Sequence, residues 1–168
     1  MPVMPEKWRP FSATLYSATT WERFAALFFT GGVLLVLGIA IWLDPYDSVS
    51  GEPLTQGTHL QLGLPPCNFL VMSGFPCPSC GMTTSFSLLM HGDLVASWQA
   101  NSAGMVLALL GVVSIPWCLA VGLAGKLWWF TRLENGLLAG LFVSLVVTLG
   151  RWVLVSGALL WARMGGMP

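Results

Sequence analysis

Three cysteines crowd into one short stretch of this sequence, as Pro66-Cys67-Asn68-Phe69 and Phe75-Pro76-Cys77-Pro78-Ser79-Cys80-Gly81. The Cys-x-x-Cys spacing lets two sulfurs reach one metal ion or each other. If Cys77 caps a helix that begins at Pro78, the unpaired N–H groups and the positive end of the helix dipole face its sulfur. That lowers a thiol pKa and makes the thiolate a better nucleophile or ligand. Three uses stay open. Cys67 can form a structural disulfide with Cys77 or Cys80; Cys67, Cys77 and Cys80 can bind a metal such as zinc with His91 or His59 as fourth ligand; or Cys77 and Cys80 can cycle between dithiol and disulfide. Cys118, the remaining cysteine, falls in a row of small residues and reads as packing.

The elements that must position these sulfurs follow from composition. Of 168 residues, 55% are hydrophobic and 8% charged, seven basic residues balance seven acidic ones, and the mean hydropathy is +0.75. Soluble domains carry about 25% charged residues, so the solvent of this chain is lipid. Too few cations are present for nucleic-acid binding by counterion release, and the apolar content excludes disorder.

Three runs are long enough to cross a bilayer, which takes about 20 helical residues: about 24–43, 103–125 and 136–160. Trp21 and Trp42 bracket the first, which is longer than a signal-peptide core and is expected to remain as an anchor. Pro116 is tolerated as a kink in the second. The expected class is an all-α membrane protein of one domain, residues 1–168. Its three transmembrane helices leave a long loop between the first two, and that loop carries a short interfacial or re-entrant helix starting at the Cys-x-x-Cys motif.

Basic residues set the orientation. Lys7, Arg9 and Arg23 precede the first span and Lys126 and Arg132 lie between the second and third, whereas residues 44–102 contain no Lys or Arg. Positive-inside bias then places the N-terminus in the cytoplasm and the cysteine segment, about 60–102, outside; Arg163 is one charge the other way. The cytoplasmic membrane is the expected location and lipid the first partner. Rows at four-residue spacing, Gly136/Gly140/Ser144/Thr148 and Ser114/Cys118/Gly122, allow close helix approach within the chain or between copies, or against a membrane partner.

Local signals mark the loop's helices. Pro78 suits a first helical position, His91-Gly92 a stop, Asp93 the cap of a short helix from Leu94 to about Ala100, and Asn101 or Ser102 the cap of the second span. Thr83, Thr84, Ser85 and Ser87 are expected to cap their helix or bond back to its carbonyls. Arg151, the one charge inside a span, requires a partner. It lies about 22 Å along the third span, on the cysteine side, where it can snorkel, pair with Asp44, Asp47 or Asp93, or stabilise a cysteine thiolate.

Taken in order, the motif around Cys67, the run Gly74-Phe75-Pro76-Cys77-Pro78-Ser79-Cys80-Gly81-Met82-Thr83-Thr84, then His91-Gly92-Asp93-Leu94 and Asn101 resembles a bacterial membrane family. It is the one catalogued as domain of unknown function 2752, with the hallmark C-P-x-C-G-x-T, then G-D and an Asn before a hydrophobic span. The resemblance covers about residues 60–125. It implies a small integral membrane protein in which Cys77, Cys80, Gly81 and Thr83 act together, and it brings no established activity, substrate or cofactor. Many members carry Arg where this chain has Thr84.

Two classes of function follow. The first is a non-enzymatic assembly factor or subunit with a structural cysteine site. The second is a membrane-bound thiol redox or metal-binding protein using Cys77 and Cys80. The sequence favours the first. A transport pathway lacks charges and broken helices, and no paired carboxylates or Ser/His/Asp set supports hydrolysis.

Overall fold

The computed structural model describes residues 11–130 and 133–165. In chain order it contains β1 (Phe11–Ser17), α1 (Thr20–Trp42), a 3₁₀ turn (Thr58–Leu62), α2 (Asn68–Ser73), α3 (Met82–Met90), α4 (Leu94–Leu119) running on into a π turn (Ala120–Ala124), β2 (Lys126–Phe130) and α5 (Leu133–Arg163). Three helical segments, Thr20–Trp42, Leu94–Ala124 and Asn135–Arg163, are long and apolar enough to span a membrane. The protein is therefore the helical, three-span molecule expected, with Cys67, Cys77 and Cys80 between the first two spans. Phe28, Leu35, Leu141, Phe142 and Leu154 are all well exposed, as lipid-facing side chains are.

The described chain groups into two compact units, residues 1–35 with 110–143 and residues 36–109 with 144–168. In the first, α1 opens with a capping box: the Thr19 hydroxyl accepts from the Glu22 amide (3.3 Å) and the Thr19 amide donates to the Glu22 carboxylate (2.8 Å). This start lies four residues before the expected one. Ala26, Cys118 and Val121 form a fully buried cluster, with Ala25, Trp117 and Leu137 against it. Cys118 is thus a packing residue, and its small-residue row serves contact inside the chain: a Cβ on Gly122 would fall 2.6 Å from Leu27. Arg23 Nε donates to the Gly122 carbonyl (2.9 Å) and its Nη2 to that of Leu123 (3.2 Å), satisfying carbonyls that the π turn leaves over.

The ribbon β1–β2 was not expected. It is antiparallel, pairing Phe11 with Phe130 and Ser17 with Lys126, with an irregular register between Ser12 and Tyr16. Its strands are more than a hundred residues apart in sequence, and no local pattern announces their pairing.

The second unit holds the cysteine segment. α4 carries a break at Asn101 (φ −158°, ψ 101°), so the short helix from Leu94 and the span that follows are distinct, as the capping signals required. Asp93 Oδ1 accepts from the Ala96 amide (2.9 Å) and Asn101 Oδ1 from the Gly104 amide (2.9 Å). Gly92, at φ 87°, ends α3.

One boundary needs correction. The motif helix starts at Met82, with Gly81 as its N-cap at φ 78°, and neither Pro78 opens it nor Cys77 caps it. Residues 77–80 form a turn closed by the Cys80 amide on the Cys77 carbonyl (3.1 Å). A residue in the left-handed region cannot continue a right-handed helix, so Gly81 separates turn from helix.

Candidate functional site

The turn brings the two motif sulfurs together. Cys77 Sγ lies 3.3 Å from Cys80 Sγ, and the Cys77 amide donates to Cys80 Sγ at 3.2 Å. The third sulfur comes from Cys67, the residue ahead of α2; all three lie within 4.8 Å of one another. Each thiol is free and half-buried.

Their environments differ. Burial pushes both thiols up. For Cys77 the Ser79 hydroxyl, 3.3 Å from its sulfur, and hydrogen bonds from Cys80 and Cys67 outweigh that cost and bring it down to about 7. For Cys80 burial and the hydrogen bond it shares with Cys77 act together and push it up to about 12. The pair shares one proton: the first is lost near neutrality and the second is held because a dithiolate would place two charges 3.3 Å apart.

At pH 7 about half of such pairs carry a thiolate, against a few per cent for a thiol with an ordinary pKa of about 8.5. The expected iodoacetamide rate at Cys77, read by peptide mass, rises about tenfold per pH unit below 7 and levels off above it. A rate still climbing between pH 7.5 and 8.5 would contradict the hydrogen-bonded pair.

A frame of backbone contacts holds this turn. Asn101, fully buried, donates from Nδ2 to the Cys80 carbonyl (2.9 Å). Gly81 passes so close to the Ala100 and Thr55 carbonyls that a Cβ would sit 2.7 Å from each oxygen. Arg151 Nη2 donates to the Ala100 carbonyl (3.0 Å). Its partner is therefore a backbone carbonyl. The acidic candidates are engaged elsewhere: Asp44 accepts from the Tyr46 amide, Asp47 from Val49 and Ser50, and Asp93 caps Ala96. Trp152 Nε1 reaches the Pro76 carbonyl (3.1 Å), while Arg163 donates to the Gly74 carbonyl (3.2 Å) and lies 4.1 Å above the Phe75 ring. Trp152 and Arg163 were missed by sequence reasoning; Trp152 directly follows Arg151 and Arg163 lies about three turns further along α5, and that placement is the trace the sequence carries of a shared role.

The hydroxyls on α3 also read differently than expected. They bond to other elements: Thr58 Oγ1 to Thr84 Oγ1 (2.7 Å), Ser85 Oγ to the Asn101 carbonyl (2.9 Å), and Ser87 Oγ to the Leu43 carbonyl (2.8 Å). Thr84, Ser85 and Ser87 are all buried. In an apolar surrounding an unmade hydrogen bond is costly, so these contacts fix α3 against the end of α1 and the start of α4.

The predicted ligands separate. Cys67, Cys77 and Cys80 converge, whereas His91 stays with its own helix end: Nδ1 is 2.8 Å from the Ser87 carbonyl and the ring meets Tyr46 edge-on at 6.3 Å. Among the described residues the convergent group is the three sulfurs alone. His59 and Thr83 line a cavity of about 730 Å³ onto which all three cysteines open.

The fold and the site define a three-span membrane protein with a convergent thiol cluster. Residues 67–115 match the model of a family described as protein of unknown function (DUF2752), and the chain is similar to that family over the stretch where its sequence resembles it. No curated protein and no solved structure matches the chain. The match covers the turn, α3, the break at Asn101 and the first part of the span; Thr55 and the α5 residues Arg151, Trp152 and Arg163 of the frame lie outside it.

Proposed function

We propose that this chain is a membrane-anchored thiol–disulfide redox protein in which Cys77 is the attacking sulfur, Cys80 its partner and Cys67 a neighbouring thiol able to exchange with either. The observation that carries this reading is the Cys77–Cys80 sulfur pair at 3.3 Å. Its proton is shared unequally, so that an attacking thiolate and a retained thiol coexist near neutral pH. A disulfide requires sulfurs about 2.05 Å apart, so closure takes only a small movement within the turn. The assembly-factor reading favoured by the sequence calls for a cluster that is inert and packed away; half-buried thiols opening on a cavity support the redox reading instead.

The reading includes a location. Lys7, Arg9, Arg23, Lys126 and Arg132 on one side, against a cysteine segment without Lys or Arg, support a bacterial cytoplasmic membrane with the N-terminus inside and the cysteine cluster outside. An oxidising exterior is where such a pair can be driven.

A soft metal ion is the second reading, favoured by three sulfurs within 4.8 Å. Sulfurs bound at about 2.3 Å to one ion lie roughly 4 Å apart, which this cluster meets with little rearrangement. His91, bonded to Ser87, leaves the fourth position of a tetrahedral site to water or another group.

The test is a thiol count on acid-quenched membranes, alkylated before and after reduction and read by mass, for wild type and Cys77→Ser. The redox reading expects a Cys77–Cys80 disulfide whose occupancy follows the redox condition of the cells and disappears in Cys77→Ser. A disulfide of constant occupancy returns the protein to the assembly class. Free thiols in every condition with stoichiometric co-purifying zinc or copper establish the metal reading.

A further inference from the structure

A dithiol that closes to a disulfide must hand on two electrons, and the structure shows what kind of acceptor can reach it. The cavity beside the cluster, about 730 Å³, falls in the range of small-molecule sites. Its walls are mainly apolar: Ile39 from the last turn of α1 and Leu43 just after it, Leu60 from the 3₁₀ turn and Phe86 from α3. Among the described residues no Asp, Glu, Lys or Arg lines it. A phosphate-bearing carrier such as a nicotinamide or flavin nucleotide would bring charges with nothing to meet them. The wall residues from α1 belong to a membrane-spanning helix, so an occupant arriving through lipid enters where that helix ends. Gln56, His59 and Thr83 are among the polar groups that line it and could hydrogen-bond carbonyl oxygens.

We propose that this cavity is the site of a lipophilic quinone, the oxidant of the Cys77–Cys80 dithiol. The proposal rests on the redox reading above and adds its acceptor. In the net step the S–H bonds of Cys77 and Cys80 break and one S–S bond forms between them. The two electrons released reduce the quinone, whose carbonyl oxygens take up two protons to give the hydroquinone. One proton comes from the Cys80 thiol; the other, already lost by Cys77 near neutrality, is taken up from water.

The test uses the full chain, reduced and reconstituted in lipid nanodiscs, with decylubiquinone as the probe, whose fully substituted ring cannot form thiol adducts. Quinol formation is followed by absorbance and thiols are counted in parallel. One quinol per two thiols lost is expected in wild type and none in Cys77→Ser. Leu60→Trp, which fills the cavity at a half-exposed position, should raise the quinone concentration needed for half-maximal rate at least about tenfold, equivalent to about 1.4 kcal/mol. If diamide closes the disulfide and dithiothreitol reopens it while decylubiquinone yields no quinol, the quinone assignment falls and the redox reading stands. If no oxidant closes the pair, both fall. Quinol formation with an unchanged concentration dependence in Leu60→Trp would overturn the cavity as its site.

Discussion

Gly81→Ala should unfold the cysteine site, with a loss of about 3 kcal/mol. Two costs add. Gly81 sits at φ 78°, where an L-residue pays about 1–2 kcal/mol. The new Cβ also meets the Ala100 and Thr55 oxygens at 2.7 Å and the Ala100 carbonyl carbon at 3.3 Å. These are backbone atoms of two different segments, so no side-chain rotation relieves the overlap, and overpacking costs about 1–3 kcal/mol. At about 2–4 °C per kcal/mol for a chain of this size, the melting temperature in detergent, read by tryptophan fluorescence, should fall by roughly 6–12 °C. Gly51→Ala is the comparison. Gly51 has a similar φ of 70° and open space around the missing Cβ, so it carries only the backbone cost. Equal melting temperatures for the two variants would show that the close approach at Gly81 does not hold the turn against α4.

The contrast between those glycines explains how far the site could be read in advance. Composition and uninterrupted apolar runs announce the spans, because a helix in lipid must be both apolar and long. Caps are legible where one side chain does one local job, as Asp93 and Asn101 do. The placement of Cys77 was not legible. Pro78 is equally at home in a helix's first turn and in a β-turn, and the choice was made by Gly81, whose left-handed conformation is enforced by carbonyls from residues 19 and 26 positions away in sequence. The hydroxyls of α3 failed for the same reason. A serine's alternatives to back-bonding are carbonyls on other elements, and nothing in the local pattern of Thr84, Ser85 and Ser87 says that Thr58, Asn101 and Leu43 are near. Arg151 is intermediate: the expense of a charge within a span predicted a partner, and its depth predicted the cysteine side. That the partner is the Ala100 carbonyl beside Cys80, and no carboxylate, needed the structure.

Asn101 ties these strands together, because one buried amide serves both the span and the site. Its Oδ1 caps the span through the Gly104 amide and its Nδ2 holds the Cys80 carbonyl. Asn101→Leu removes both, leaving a buried donor and a buried acceptor unmet at about 1–3 kcal/mol each, so a loss of about 2–6 kcal/mol is expected. Asn101→Asp separates the roles. A carboxylate keeps the acceptor for Gly104 but turns an oxygen toward the Cys80 carbonyl, where only a protonated acid can donate. The Asp variant should therefore melt near wild type at mildly acid pH and lose stability as the pH rises and the acid ionises, whereas the Leu variant should show the same deficit at every pH. Since the lost bond in ionised Asp is the one to Cys80, closure of the Cys77–Cys80 disulfide by diamide should slow with the same pH dependence, relative to wild type. A pH-independent Asp variant, or one whose disulfide closes at the wild-type rate throughout, would show that the amide–carbonyl bond does not position Cys80.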